Sequence, residues 1–186
     1  MTESIVDIYL ECGDFHQAVA KSGLSTRAAH LALLRSGALK IQDKINYGSR
    51  NARRGARAEK LFQQYVPDAI DANKYFKKNN PVYDFMVGDL TIDVKYSSLV
   101  KGTKTKQWSF RKSKADFICA FLESEQMKGI KDSHILLIPT AFISPELKTK
   151  VAVAKSGPIF EDFLIEPEEI QTTLKDYAEL RKEGLF

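Results

Sequence analysis

The apolar positions of this chain fall first into helical spacing and later into strand-like runs. Ile5, Val6, Ile8, Tyr9 and Leu10 predict a helix that ends at Gly13, and Asp14 is placed to cap a second one through Lys21. Ser22, Gly23, Leu24 and Ser25 then supply a tight turn and a new cap. The spacing of Ala28, Leu31 and Leu34 predicts a third helix over Thr26 to Ser36. The segment from Tyr47 to Arg57 has two glycines and four arginines without an apolar period, and reads as a linker or a lead-in to the next helix, with a boundary near Ser49. Ala58, Leu61, Phe62 and Tyr65 mark an amphipathic helix over Ala56 to Tyr65, with Glu59 off the centre of its stripe, where a glutamate is ordinarily solvated. Pro67 and Asp68 break it. A polar stretch with KKNN follows, then two strand-like runs, Val82 to Val87 and Leu90 to Tyr96. Ala115 to Leu122 fits strand or helix by period alone, Ile135 to Ile138 reads as a buried strand, and Pro167 opens a terminal helix to about Lys182, stopped by Gly184. No internal repeat is visible. The order predicts α/β or α+β for residues 50–186 behind a small all-α unit.

With 186 residues, 44% of them hydrophobic and 28% charged, the chain can bury a core and form at most two domains, expected at 1–49 and 50–186. Its apolar runs stop well short of the roughly 20 residues that a bilayer helix needs. The first residues carry acids and no basic flank before an apolar run, so no secretory signal is read there and a cytoplasmic location is expected. Cys12 and Cys119 stand alone, without CxxC or a histidine cluster, which argues against a disulfide framework or a structural zinc site. His16, His30 and His134 share no metal spacing, and His134 beside a buried strand reads as structural. No P-loop, nucleophile elbow or dinucleotide fingerprint is present.

Charge is unevenly spread. The net value is only +4, yet from Lys95 to Lys114 there are seven lysines and arginines and no acid. That run is either a solvated loop or a nucleic-acid contact, with Lys104, Lys106, Arg111 and Lys112 as the phosphate-binding candidates. Trp108 and Phe110 within it could stack on bases or sugars, or could bury one face of a strand. The Ser22 to Ser36 segment resembles a helix-turn-helix, with Arg27, His30 and Arg35 on or near the outer side of its second helix; the same turn also serves plain helical bundles. Arg53 and Arg54 add further cations.

The chemistry concentrates in one hairpin. If Gly88 and Asp89 form a two-residue turn, Val87 pairs with Leu90, Met86 with Thr91, Phe85 with Ile92 and Asp84 with Asp93. Two carboxylates would then face each other across the strands, a destabilising arrangement unless something neutralises them, and a bound cation would do so. Strand period puts Lys95 on the face of Asp93, while Ile92 and Val94 point into the core. A hard dication on two carboxylates with an ammonium beside it is suited to phosphodiester cleavage.

At these residues the chain resembles the PD-(D/E)xK nuclease superfamily. GARAEKLF supplies a helix acid, Glu59; PVYDF supplies Asp84; TIDVK supplies Asp93 and Lys95. Pro81 is not adjacent to Asp84, a departure from the pattern. The resemblance spans about residues 55 to 122. It implies a restriction-endonuclease-like core, a central mixed sheet flanked by helices, and a magnesium-dependent nuclease for which manganese would substitute. It implies Asp84 and Asp93 as metal ligands, the Val94 carbonyl as a further ligand, Glu59 as an outer ligand or the ligand of a second metal, and Lys95 as base or electrostatic support. The expected function is a DNA endonuclease of restriction, phage or mobile-element type, with a junction resolvase as an alternative and an inactive DNA-binding protein as the non-enzymatic one. A homodimer is expected, since cutting both strands takes two sites.

Overall fold

Each of the first three helices begins on a side-chain cap. In the computed structural model, which describes residues 4–72, 82–102, 104–126, 128–147 and 149–186, α1 (Ile5–Cys12), α2 (Phe15–Ser22) and α3 (Thr26–Ser36) start where Ser4, Asp14 and Ser25 accept the backbone N–H three residues on. Their shared core is Ile5, Ile8, Tyr9, Phe15, Ala18, Ala29, Leu33 and Leu39. The helix α3 has the expected bounds but a different phase. Ala29 and Leu33 are its buried residues and Leu31 is 46% exposed, because the N-terminal unit covers only a narrow stripe of it.

The arginine-rich segment is helical. Between α4 (Ile41–Tyr47) and α5 (Arg50–Tyr65) only Gly48 and Ser49 interrupt the coil, and Ser49 Oγ restarts it by accepting from the Ala52 N–H. Arginine is a good helix former, so the lack of an apolar period there marks an exposed turn of helix rather than a linker. The expected boundary falls at this elbow, but Ile41 of α4 packs against the core of the remainder.

The remainder is built on a five-stranded sheet in the order β1 (Ile70–Asp71), β2 (Phe85–Val87), β3 (Leu90–Ser97), β5 (Phe117–Leu122), β6 (His134–Pro139). Only β3 and β5 are parallel. Between them in sequence, β4 (Gln107–Arg111) leaves the sheet and pairs antiparallel with β7 (Lys150–Ala154). Two short helical segments close the chain, α6 (Pro158–Phe163) and α7 (Ile170–Lys182). One sheet face, with Phe85, Ile92, Val94, Phe117, Cys119, Phe121, Ile135 and Leu137, packs on α5 and α7. The other, with Ile118, Ala120, Leu122, Leu136 and Ile138, packs on the β4–β7 pair and Phe160 of α6. The fold is therefore mixed α/β with a central mixed sheet, but helices dominate one flank and a second small sheet covers much of the other. All six residues of β5 are buried, which is why its period could not separate strand from helix. Among the described residues no helix is long and apolar enough to cross a membrane. The KKNN stretch and Pro81 lie outside the described residues.

The β2–β3 register is the expected one, Val87 to Leu90, Met86 to Thr91 and Phe85 to Ile92. Gly88 opens the turn at φ +57, and a β-carbon there would meet Ala178 Cβ of α7 at 3.2 Å. Gly88→Ala is expected to cost about 1–2 kcal/mol, from left-handed strain plus that contact. Urea denaturation should show it as a lower midpoint with an unchanged slope.

Candidate active site

Asp84 lies one residue beyond the β2–β3 ladder and is fixed by three bonds. Its N–H donates to the Ile92 carbonyl at 2.9 Å and its carbonyl accepts from the Ala72 N–H at 2.9 Å. Its Oδ2 accepts from the Val94 N–H at 2.8 Å, so the carboxylate takes the place of a ladder rung. The N–H and carbonyl of one strand residue point to the same edge, so the Val94 carbonyl is directed towards that side as well. Asp93 lies on the opposite pleat from Ile92 and Val94 and is buried. Lys95, two residues on, brings its Nζ to 2.6 Å from Asp93 Oδ1. Ser97, next on this face, accepts from the Ser109 N–H and donates to the Ser109 carbonyl, each at 3.0 Å, which ties the face to β4.

Glu59 reaches the same region from α5. It is only 7% exposed, not solvated as its place on the helix suggests. The second wall that encloses it comes from α4, whose Lys44 Nζ stands 3.7 Å from Glu59 Oε2; that oxygen accepts no hydrogen bond from the described residues. Asp71 of β1, also buried, adds its charge to the cluster. Burial, and then the negative charges of Glu59 and Asp93, hold the Asp84 carboxyl well above the ordinary aspartate range, with the Val94 N–H offsetting part of this. Burial likewise raises Glu59; Lys44 pulls it back and Asp71 pushes it up. Sequence reasoning missed Asp71, whose strand is two residues long, and Lys44, on a helix it did not identify.

Among the described residues, the three acids Glu59, Asp84 and Asp93 outnumber the two lysines Lys44 and Lys95 in a poorly hydrated place, a condition that favours an added proton or cation. The donors are hard oxygens, and the buried Glu59 Oε2 is without a hydrogen bond from the described residues, so the set fits a hard divalent ion that keeps some of its water. Among the described residues no three His, Cys, Asp or Glu side chains are gathered tightly enough to enclose a metal ion as they stand. The expected cross-strand pairing of Asp84 with Asp93 is absent from the ladder, which ends at Phe85 and Ile92, and the charges of both Glu59 and Asp93 act on the Asp84 carboxyl.

The remaining candidates divide by position. Arg27 and Arg35 are exposed on α3, whereas His30 turns inward, with Nε2 2.6 Å from the Tyr47 carbonyl and its ring edge-on to Phe15. Arg53 donates to the Gly48 carbonyl, and Arg54 donates to Ser98 Oγ while lying over the Tyr96 ring. Lys104 and Arg111 are exposed. Lys106 and Lys112 reach solvent-side carbonyls, at Ser124 and at Ser144 and Pro145. Arg111 sits directly opposite Lys150 across the β4–β7 pair, a like-charge juxtaposition that an anion would relieve. Trp108 and Phe110 are not available for stacking on bases. Both are buried between the sheets, with Trp108 Nε1 donating to the Glu123 carbonyl, because alternation on β4 points them inward. His134 packs edge-on against Trp108 and Phe160, and burial, helped by Lys155 and Lys106, lowers its pKa, in keeping with a structural role.

No family model and no curated protein matches the chain. Among solved structures it is similar to the bacterial homing endonuclease I-Ssp6803I, at 15% identity and a TM-score of 0.47, over 72% of this chain and 99% of that one. At that distance the side chains, not the likeness, carry the chemistry.

Proposed function

We propose that the protein is a magnesium-dependent DNA endonuclease of the PD-(D/E)xK kind, with manganese as the substitute ion. The observation that carries this reading is the Lys95 ammonium 2.6 Å from Asp93, with the Asp84 carboxyl, fixed by the Val94 N–H, close enough to Asp93 for their charges to interact. Asp84, Asp93 and the Val94 carbonyl would hold the ion, with Glu59 as an outer charge. When bound, the ion supplies Lewis-acid polarisation of a phosphoryl oxygen and a more acidic water. Lys95 orients the attacking water and offsets the charge that grows on the phosphoryl oxygens. Asp84, held by the Val94 N–H, keeps its orientation whether or not it carries a proton.

DNA is the substrate that the cations suit. Arg27 and Arg35 on α3, Arg53 and Arg54 on α5, and Lys104, Lys106, Arg111 and Lys112 around β4 offer phosphate contacts on the N-terminal unit and on the core. His30 drops out of this set, because its ring nitrogen is engaged inside the unit. Arg54 bonds to Ser98, one residue past the end of β3 and three from Lys95, about 10 Å at strand rise, a span of a few nucleotides. Sequence-specific cutting of duplex DNA by a homodimer is the form of the activity proposed, one site for each strand.

The pairing of Asp93 with Lys95 and of Asp84 with the Val94 N–H, which gives both carboxylates partners without an ion, favours a second reading, a DNA-binding protein whose core does no chemistry. Supercoiled plasmid separates the two. The nuclease converts it with magnesium and not with EDTA or calcium, and Asp93→Ala stops conversion while a calcium-supported gel shift persists. An Asp93→Ala protein that cuts at the wild-type rate refutes the site.

A further inference from the structure

Lys44 stands on α4, and its ammonium serves a carboxylate of the neighbouring helix α5. Its Nζ lies 3.7 Å from Glu59 Oε2, across the elbow at Gly48 and Ser49. That oxygen is enclosed and takes no hydrogen bond from the described residues, and Lys44 is the first among them to compensate the buried charge of Glu59. The two partners differ in access. The Lys44 side chain is 23% exposed against 10% for Glu59, so the ammonium has a way out to solvent and the carboxylate has little. The elbow itself is pinned, since Gly48 donates to the Lys44 carbonyl and its own carbonyl accepts from Arg53 Nε. The part free to move is the lysine's flexible four-carbon stem.

We propose that Lys44 is a positioning residue that stands in for a divalent ion's charge beside Glu59 and withdraws to a nucleic-acid phosphate when the ion is loaded. The proposal rests on the nuclease reading and adds a coupling to it. An ammonium and a dication near one carboxylate repel each other, so the resident lysine weakens ion binding in the free protein. A phosphate backbone lying along α4 gives that ammonium an outside partner and removes the repulsion. Through Lys44, α4 then makes tight ion binding conditional on substrate.

Calorimetric titration of calcium into the full chain at mildly alkaline pH, with and without a duplex oligonucleotide, tests this. Without duplex, Lys44→Met is expected to bind calcium about tenfold more tightly than wild type, the effect of removing one nearby like charge. Lys44→Arg restores wild-type affinity, and adding Glu59→Gln to Lys44→Met cancels the gain. Duplex tightens calcium binding in wild type by about tenfold more than in Lys44→Met. Equal or weaker calcium binding by Lys44→Met, or an equal gain from duplex in both proteins, overturns the role of Lys44. Calcium binding indifferent to Asp93→Ala overturns the nuclease reading and this proposal with it. If circular dichroism shows Lys44→Met unfolded, Lys44→Gln serves for the same comparison.

Discussion

Lys95→Ala should slow plasmid cleavage by about 10²–10³-fold, the scale seen when one preorganised group that stabilises transition-state charge is removed. The ammonium is held 2.6 Å from Asp93 Oδ1 with 29% of its side chain exposed, close enough to the carboxylates to act on a bound phosphate and open enough to meet one. Removing it takes a positive charge away from the ion's surroundings, so cation affinity should hold or tighten while turnover falls. That split keeps the loss from being ascribed to a missing ion. Lys95→Arg should recover little, because a planar guanidinium spreads its charge and cannot occupy the point that a compact ammonium does. Single-turnover rates with saturating magnesium check this, and a Lys95→Ala protein that cuts at full rate removes the lysine from the chemistry.

Asp84→Asn is expected to abolish cleavage and yet to stabilise the protein in EDTA. Asn keeps an oxygen for the Val94 N–H while removing a charge that burial, Glu59 and Asp93 all oppose. The pH dependence follows from the same cause. Because the folded-state pKa of Asp84 lies above the ordinary value of 3.8, the native protein holds a proton that the unfolded chain releases. The stability contributed by that proton is complete below the unfolded value and is lost as pH rises through the folded one. Near pH 8 the variant should therefore exceed wild type by about 1–3 kcal/mol, or about 2–10 °C in Tm, with the gap closing as pH falls towards 4. A saturating divalent ion should close it from the other side by stabilising wild type alone. A variant less stable than wild type near pH 8 would show that Asp84 is not carried at a cost. Such a cost, kept because a reaction requires it, is how buried like charges persist at functional sites.

The site was legible where it depends on short-range rules. Gly88 and Asp89 between alternating runs fixed the β2–β3 register as far as Phe85 and Ile92, and strand period put Lys95 beside Asp93, but Asp84 leaves the ladder and bonds to Ile92 and Val94 rather than lying opposite Asp93. The caps Asp14 and Ser25 marked α2 and α3 for the same reason. What remained hidden depends on distant partners. Glu59 looks solvated on its own helix and is buried in the fold, where α4 brings Lys44 beside it. Trp108 and Phe110 looked available until β4 paired with β7, some forty residues downstream, and turned them between two sheets. Likewise the phase of α3 follows from what α1 and α2 cover, which leaves Leu31 outside and draws His30 to the Tyr47 carbonyl.

Diffraction from crystals soaked in manganese, read at the metal's absorption edge, addresses the shared ion most directly. The expected result is an anomalous peak within coordination distance of both the Asp84 and Asp93 carboxylates, with the Lys95 ammonium alongside, lost in crystals of Asp93→Ala. Manganese bound elsewhere with those two carboxylates bare, or a peak that survives Asp93→Ala unchanged, contradicts it.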